Sequence, residues 1–275
     1  MPELPEVETV RRHLLPQLAN RRIEKARFLD QRALPFMPKE DAADVLSGRT
    51  ILDIQRVGKY LLFRLDEQML MVIHLRMTGR LYVLTRRTPP DARYSAWIQF
   101  DHGTGLCFQD TRRFGTIYIG DRQQLMNIPG LANLGPDPTN DDWTGQCLLR
   151  QIQKRRAPIK SLLLNQTIVA GIGNIYADES LFCAGIHPLR MGMELTAKEC
   201  DQLARCIKNI LHDAIAFEGT TFRDFRLGYD QSGSFQERLQ VYGRTGESCR
   251  QCSGPITKLK IAGRSSHYCS VCQPK

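Results

Sequence analysis

The sequence lacks any apolar run of membrane-spanning length, and its beginning lacks the charged-then-apolar pattern of a signal peptide. These absences argue against an integral membrane protein and against secretion. There are no internal repeats and no low-complexity tracts, so solenoid and disordered-tail readings fall away as well. Acid is in deficit: 29 Asp and Glu face 38 Lys and Arg, for a formal net charge of +9 and a pI near 9.2. That imbalance calls for a polyanionic partner. Nucleic acid is the first choice, although an acidic membrane surface or an acidic protein would satisfy charge alone. The remainder, 42% hydrophobic and 24% charged over 275 residues, is that of a cytosolic globular protein with room for two modest domains.

The shortage of acid is sharpest near the C-terminus, where Glu247 stands among Arg244, Arg250, Lys258, Lys260 and Arg264. The same stretch holds Cys249-Arg-Gln-Cys252 and Cys269-Ser-Val-Cys272, with sixteen residues between the two pairs. Two C-x-x-C knuckles at this separation are the ligand pattern of a four-thiolate zinc site. Four thiolates close the tetrahedron and leave no position for water, so the one zinc expected here is structural. Disulfides are the weaker alternative, because nothing else marks an exported chain and nine cysteines make an odd count. Cys107, Cys147, Cys183, Cys200 and Cys206 lie in apolar stretches and read as small core residues.

Val7, Val10 and Leu14 share a face of a helix within residues 6–18. From Ile51 to Ile119 the chain runs in short alternating segments: 51–65, 69–84, 95–100, 106–109 and 113–119, with a hairpin turn at 101–105. Many short strands predict a sandwich or barrel-like sheet. Pro129-Gly130 and residues 135–142 read as a linker. Beyond it the period becomes helical: Thr196 and Glu199 form a capping box before the apolar face Leu203, Ile207, Ile210, Leu211 and Ala214. Gly171 and Gly173 precede a helix start in a turn suited either to helix–turn–helix packing or to phosphate binding. The knuckles and the basic balance favour phosphate. Tyr176 in the place of a third glycine rules out a dinucleotide fingerprint. Residues 222–236 read as a loop.

The start, Met1-Pro-Glu-Leu-Pro-Glu-Val-Glu, carries its own chemistry. Removal of Met1 would leave Pro2 with a free secondary amine, and an α-amino group titrates at about 8, far below lysine. Attack by that amine on a sugar C1′ gives a permanently cationic iminium, an electron sink for the bonds beyond it. Glu3 stands ready to shuttle protons. On these residues alone, Pro2 and Pro5 read better as residues that merely start a helix.

Ordered motifs now accumulate: Pro2-Glu-Leu-Pro-Glu-Val-Glu-Thr9, Gly58-Lys-Tyr-Leu61, His74-Leu-Arg-Met-Thr-Gly79, Arg112-Arg-Phe-Gly115, Leu134-Gly-Pro136, Gly171-Ile-Gly-Asn-Ile-Tyr176, Gly185-Ile-His-Pro188, Val241-Tyr-Gly-Arg244 and the two knuckles. In these, end to end, the sequence resembles the bacterial formamidopyrimidine-DNA glycosylases. The resemblance implies an α+β multidomain fold. It would comprise an N-terminal β-sandwich with flanking helices (1–128), the linker (129–142), a helix-two-turns-helix domain with a lesion-capping loop (143–236), and a zinc-finger β-hairpin (237–275). It also implies a monomeric enzyme of the bacterial cytoplasm, associated with the nucleoid through damaged double-stranded DNA. Such an enzyme removes 8-oxoguanine and formamidopyrimidines and then cleaves the strand.

By the same resemblance Pro2 is the Schiff-base nucleophile and Glu3 the general acid. Lys59 is implied in β-elimination and phosphate contact, and Arg264 in phosphate grip and δ-elimination. Met77, Arg112 and Phe114 fill the gap left by an extruded base, the first and last being ordinary strand core residues on any other reading. Lys154 and Asn174 contact DNA, and Cys249, Cys252, Cys269 and Cys272 hold the zinc. Arg93 departs from the pattern, standing where many relatives carry histidine. A phosphate contact would survive that exchange, but not its pH dependence. Two rivals remain: an endonuclease VIII type acting on oxidised pyrimidines, and a DNA-binding homologue without catalysis. Pro-Glu-Leu-Pro-Glu in place of Pro-Glu-Gly-Pro speaks against the first, and intact Pro2, Glu3, Lys59 and Arg264 against the second.

Overall fold

A proline in the first helical turn forfeits no hydrogen bond, and α1 (Leu4–Leu18) opens with Pro5 in that place. Glu3 is its N-cap, and the Glu3 N–H donates to the Glu6 carboxylate at 2.8 Å. Val7, Val10 and Leu14 are buried together, as their spacing predicts. The computed structural model describes residues 1–85, 94–220 and 233–275. The chain forms two compact units, Met1–Ala132 with Glu218–Ser234, and Asn133–Phe217 with Phe235–Lys275.

The first unit holds β1 (Arg21–Phe28), α2 (Lys39–Leu46), β2 (Thr50–Val57), β3 (Tyr60–Leu65), β4 (Met69–His74), β5 (Gly79–Leu84), β6 (Ala96–Phe100), β7 (Gly105–Asp110), β8 (Thr116–Asp121) and α3 (Arg122–Met126). Among the described residues every strand pairing of this unit is antiparallel. β1 meets β2 only through Arg21 and Arg22, then pairs with β6 from Ile23 to Phe28. Two ladders, β1-β2-β3-β4-β8 and β5-β7-β6-β1, therefore share one strand. Ile54, Leu61 and Phe63 of the first ladder join Ile98, Phe100 and Phe108 of the second, together with α1, in a single apolar cluster. This is the sandwich expected from the alternating segments.

One expectation about this unit needs correction. Residues 113–119 do not form one strand. β8 begins at Thr116, because Arg113 takes φ +57° and the Asp110 carboxylate holds the preceding loop. Phe114 and Met77 accordingly sit in connections, not on strands. Lys59 lies with Gly58 in the two-residue turn between β2 and β3 and is buried.

The second unit comprises α4 (Gly145–Ile152), α5 (Ile159–Leu164), α6 (Asn174–Cys183), α7 (Ala197–Ala216), β9 (Ile256–Ile261) and β10 (Arg264–Cys269). Thr196 and Glu199 exchange the expected capping-box bonds at the start of α7, 3.3 Å and 2.8 Å long. Residues 133–142 fold with this unit: Gly135 N–H donates to the Gln166 carbonyl at 2.8 Å, and Ala170 N–H to that of Pro136 at 3.0 Å. Cys107 and Cys200 are buried thiols, as expected, whereas Cys147 is only partly buried, near the start of α4, and is not a core residue. Cys183 and Cys206, however, are joined in a disulfide between α6 and α7, their Cα atoms 5.8 Å apart. Among the described residues no helix is long and apolar enough to cross a membrane.

Candidate active site and nucleic-acid interface

A glutamate one helical turn into α1 organises the N-terminus. One Glu6 oxygen accepts the Glu3 N–H, and the other accepts the Thr220 N–H at 2.8 Å and the Thr220 hydroxyl at 2.9 Å. All three residues are buried. Gly219, at φ +78°, must remain glycine, since a Cβ there would approach the Glu6 carboxylate to 2.9 Å. Glu6 thus pins the backbone of Glu3, next to buried Pro2, to the residues that lead into 221–232. Met1 precedes Pro2 and is exposed. Residues 222–232 of the expected capping loop, and Arg93, lie outside the described residues.

Lys59 shares its surroundings with His74, at the end of β4. Burial, then the charges of Arg76 and Lys59, depress the His74 imidazole to about 3. A neutral ring is also what the geometry requires, because Nδ1 accepts the Arg76 N–H at 2.9 Å. That bond stabilises Arg76 at φ +55° and shapes the turn presenting Met77. Around Glu8, burial alone would raise the carboxyl. Hydrogen bonds from Arg11 and Arg12 outweigh it and hold Glu8 below the ordinary carboxylate range.

The expected gap-filling residues are brought together through a buried carboxylate. Asp110 accepts the Thr78 hydroxyl through one oxygen, which also takes the Arg112 N–H at 3.2 Å; the other takes the Gly115 N–H at 2.7 Å. The Arg112 N–H reaches the Thr78 hydroxyl too, at 3.1 Å. The turn carrying Met77 and the loop carrying Arg112 and Phe114 are therefore bonded to each other. Arg112 lies over the Phe114 ring, 4.9 Å from its centroid, and Phe114 is 52% exposed. A large apolar ring stacked under a guanidinium and offered to solvent has the form of a wedge for unstacked bases.

In the second unit Asn174 opens α6, and its side-chain amide donates to the Ser265 carbonyl at 3.0 Å. One amide hydrogen is left over for a ligand. Ala262 and Gly263, at φ +47° and +76°, make the two-residue turn between β9 and β10, and exposed Arg264 follows it directly. Lys154 is exposed just beyond α4. The sulfurs of Cys249, Cys252, Cys269 and Cys272 all lie within 4.8 Å of one another, with Cys249–Cys272 at 3.8 Å and Cys252–Cys269 at 3.4 Å. A tetrahedron with zinc–sulfur bonds of about 2.3 Å has edges of about 3.8 Å, so the four thiolates fit one zinc ion. The zinc would close and hold the hairpin without an open ligand position.

Sequence reasoning singled out none of Glu6, His74, Asp110 or Thr220. Glu6 and His74 stand inside quoted motifs, and that proximity was the available signal.

Three family models match most of the chain: the formamidopyrimidine-DNA glycosylase N-terminal domain over residues 1–117, the H2TH domain of that enzyme over 134–226, and the zinc finger found in FPG and IleRS over 246–275. The chain belongs to the formamidopyrimidine-DNA glycosylase family. A glycosylase of that name from Symbiobacterium thermophilum is 45% identical, with all of this chain and 90% of the relative covered. Another from Heliobacterium modesticaldum is 43% identical over 99% of this chain and its own full length. Among solved structures, a Lactococcus lactis FPG mutant in complex with Fapy-dG-containing DNA matches with a TM-score of 0.92 at 36% identity, both chains being covered in full. Wild-type L. lactis FPG with DNA containing an oxidised pyrimidine matches at 0.91 and 37%, again over both full chains. The sandwich, the helical H2TH region and the zinc hairpin are thus the family's fold in this glycosylase-family chain.

Proposed function

We propose that this protein is a bifunctional DNA glycosylase and AP lyase that excises oxidised purines from duplex DNA in base excision repair. The observation that carries the reading is the pair Pro2-Glu3 at a buried helix start, its backbone fixed by Glu6. With Met1 removed, the Pro2 amine attacks C1′ of the damaged nucleotide, and Glu3 protonates the departing base or opening ring. The resulting iminium acidifies the sugar carbons. Loss of a C2′ proton expels the 3′ phosphate, and loss of a C4′ proton expels the 5′ phosphate. No external oxidant or reductant enters. Lys59 serves the first elimination and Arg264 the second, while Asn174, Lys154 and Arg93 bind phosphates. Met77, Arg112 and Phe114 occupy the space of the extruded nucleotide, at a site where an unfilled gap costs a few kcal/mol of lost stacking.

The proposed division of labour is a catalytic sandwich at 1–128, a linker at 129–142 whose residues from Asn133 onward group with the helical unit, a DNA-binding helical domain with its loop at 143–236, of which 218–234 group with the first unit, and the zinc finger at 237–275. The enzyme acts as a monomer in the bacterial cytoplasm, held at the nucleoid by DNA. A second reading, activity on oxidised pyrimidines, is favoured by the L. lactis complex with that lesion.

Borohydride trapping on a duplex containing 8-oxoguanine, followed by mass spectrometry of the adduct, tests the assignment. Protein processed to Pro2 should form an adduct at its N-terminus. Protein with any residue before Pro2 should bind and form none, because an amide nitrogen has no free lone pair. An adduct on Lys59 with Pro2 unmodified would overturn the mechanism. Trapping only on oxidised pyrimidines would favour the second reading, and none on any lesion would point to a non-catalytic homologue.

A further inference from the structure

The most deeply buried charges in the second unit lie outside the mechanism above. Lys160 on α5 and Asp178 on α6 have no exposed side-chain surface, and they form an ion pair. Lys160 also donates to the carbonyl of Asn174 at 3.3 Å. Asp178 stands one helical turn after Asn174, on the same face of α6. Its remaining bonds all go to β10. One oxygen takes the Ser266 hydroxyl at 3.3 Å, and the other takes the His267 N–H at 3.0 Å and faces the His267 Nδ1 at 3.1 Å. A carboxylate only accepts, so Nδ1 carries its proton toward Asp178. Together with the bond from Asn174 to Ser265, three successive residues of β10 are fastened to one face of α6. Arg264 is the next residue back.

We propose that Asp178 is the positioning residue for Arg264. It sets the register of β10 on α6, so that the guanidinium of Arg264 and the amide of Asn174 address the DNA backbone as one preset grip. Buried ion pairs add little net stability compared with apolar replacements of like volume, and holding a defined register is a use that does fit them. A zinc site fixes the far end of the hairpin, at Cys269, but a two-stranded ribbon can still pivot about it. Asp178 removes that freedom at the end which carries Arg264. This inference rests on the assignment of Arg264 to the second elimination.

The test separates the two elimination products on an end-labelled strand bearing a preformed abasic site. The β product ends in an unsaturated aldehyde and the β,δ product in a phosphate. Asp178→Asn should shift the ratio toward the β product by at least about tenfold, within the loss of up to about a hundredfold that an ångström of misplacement can cause. Borohydride trapping at the N-terminus should persist. Since Asp178→Asn leaves Lys160 without its counter-charge and can unfold the unit, Ser266→Ala/His267→Phe serves as the second variant. It removes only the side-chain bonds from β10 and should shift the ratio in the same direction. Either change added to Arg264→Ala should have no further effect on the ratio, as for residues acting through one another. A folded Ser266→Ala/His267→Phe protein with an unaltered ratio overturns the proposal, as does additivity with Arg264→Ala. If Arg264→Ala itself leaves the ratio unchanged, the assignment of Arg264 fails and this inference with it.

Discussion

Phe114 shows how a single side chain can be tested against its surroundings. Because it is exposed and its loop is held by Asp110, truncation removes a surface ring and leaves the core intact. Phe114→Ala should therefore keep its thermal stability yet impair excision of a base-paired lesion more than cleavage at a preformed abasic site. Equal loss in both assays would make the residue a support and not a wedge. His74 offers a test of a different kind. Its folded-state value of about 3 lies below the ordinary 6.5, so the unfolded chain binds the proton more readily. Its contribution to stability is complete above about pH 6.5 and is lost as pH falls toward 3. Asn in this position can still accept the Arg76 N–H but does not titrate. His74→Asn should flatten the acid limb of a Tm-against-pH curve between 4 and 6.5, and an unchanged slope would show that the ring titrates freely. Both residues teach the same lesson about legibility. The knuckle cysteines could be read directly because one ion dictates their spacing. Asp110 reads as any strand-end acid until Thr78, 32 positions away, is seen to donate to it.

At the scale of elements, the helices of the second unit are secured by features of unequal visibility. The capping box of α7 was written in four consecutive residues. Its extension was not, for Arg190 also pairs with Glu199. The Arg190 hydrogen bond, opposed by burial and aided by the bonds from Thr196, lowers the Glu199 carboxyl to about 2. That stabilisation is present above the unfolded value of 4.5 and disappears as pH falls toward 2. Glu199→Gln should lower Tm at pH 7 and make little difference near pH 2, where the native carboxyl is itself becoming neutral. The disulfide between α6 and α7 was invisible because no motif links cysteines 23 positions apart in separate helices. Closing a loop of this size contributes roughly 3 kcal/mol. Non-reducing peptide mapping should recover the Cys183–Cys206 pair, and Cys183→Ser should lower Tm by several degrees without reductant and much less with it. Equal stability in both conditions would remove the cross-link from the account.

For the molecule as a whole, charge and metal act together. The net charge of +9 makes DNA binding steeply salt-dependent, with affinity falling by roughly 0.9 log unit per log unit of salt for every phosphate contacted. The zinc orders the basic hairpin, where few apolar side chains are available to do so. Chelation, or Cys249→Ser, should abolish duplex binding while circular dichroism of the sheet is retained and the N-terminal unit still melts cooperatively. Stoichiometric DNA cleavage by zinc-free protein would refute this. The broad plan was legible because strand alternation, helical period and thiolate spacing are local signals. The buried carboxylates that join segments were not, since each draws its partners from distant parts of the chain.

The return of residues 218–234 to the first unit has a consequence for biosynthesis. On the ribosome the sandwich emerges early, yet the Glu6 carboxylate keeps both of its bonds to Thr220 unmade until that residue has been translated. The nascent N-terminal part waits, the start of α1 not yet pinned, while most of the helical unit is made. Any fragment that stops at residue 132 inherits that waiting state permanently.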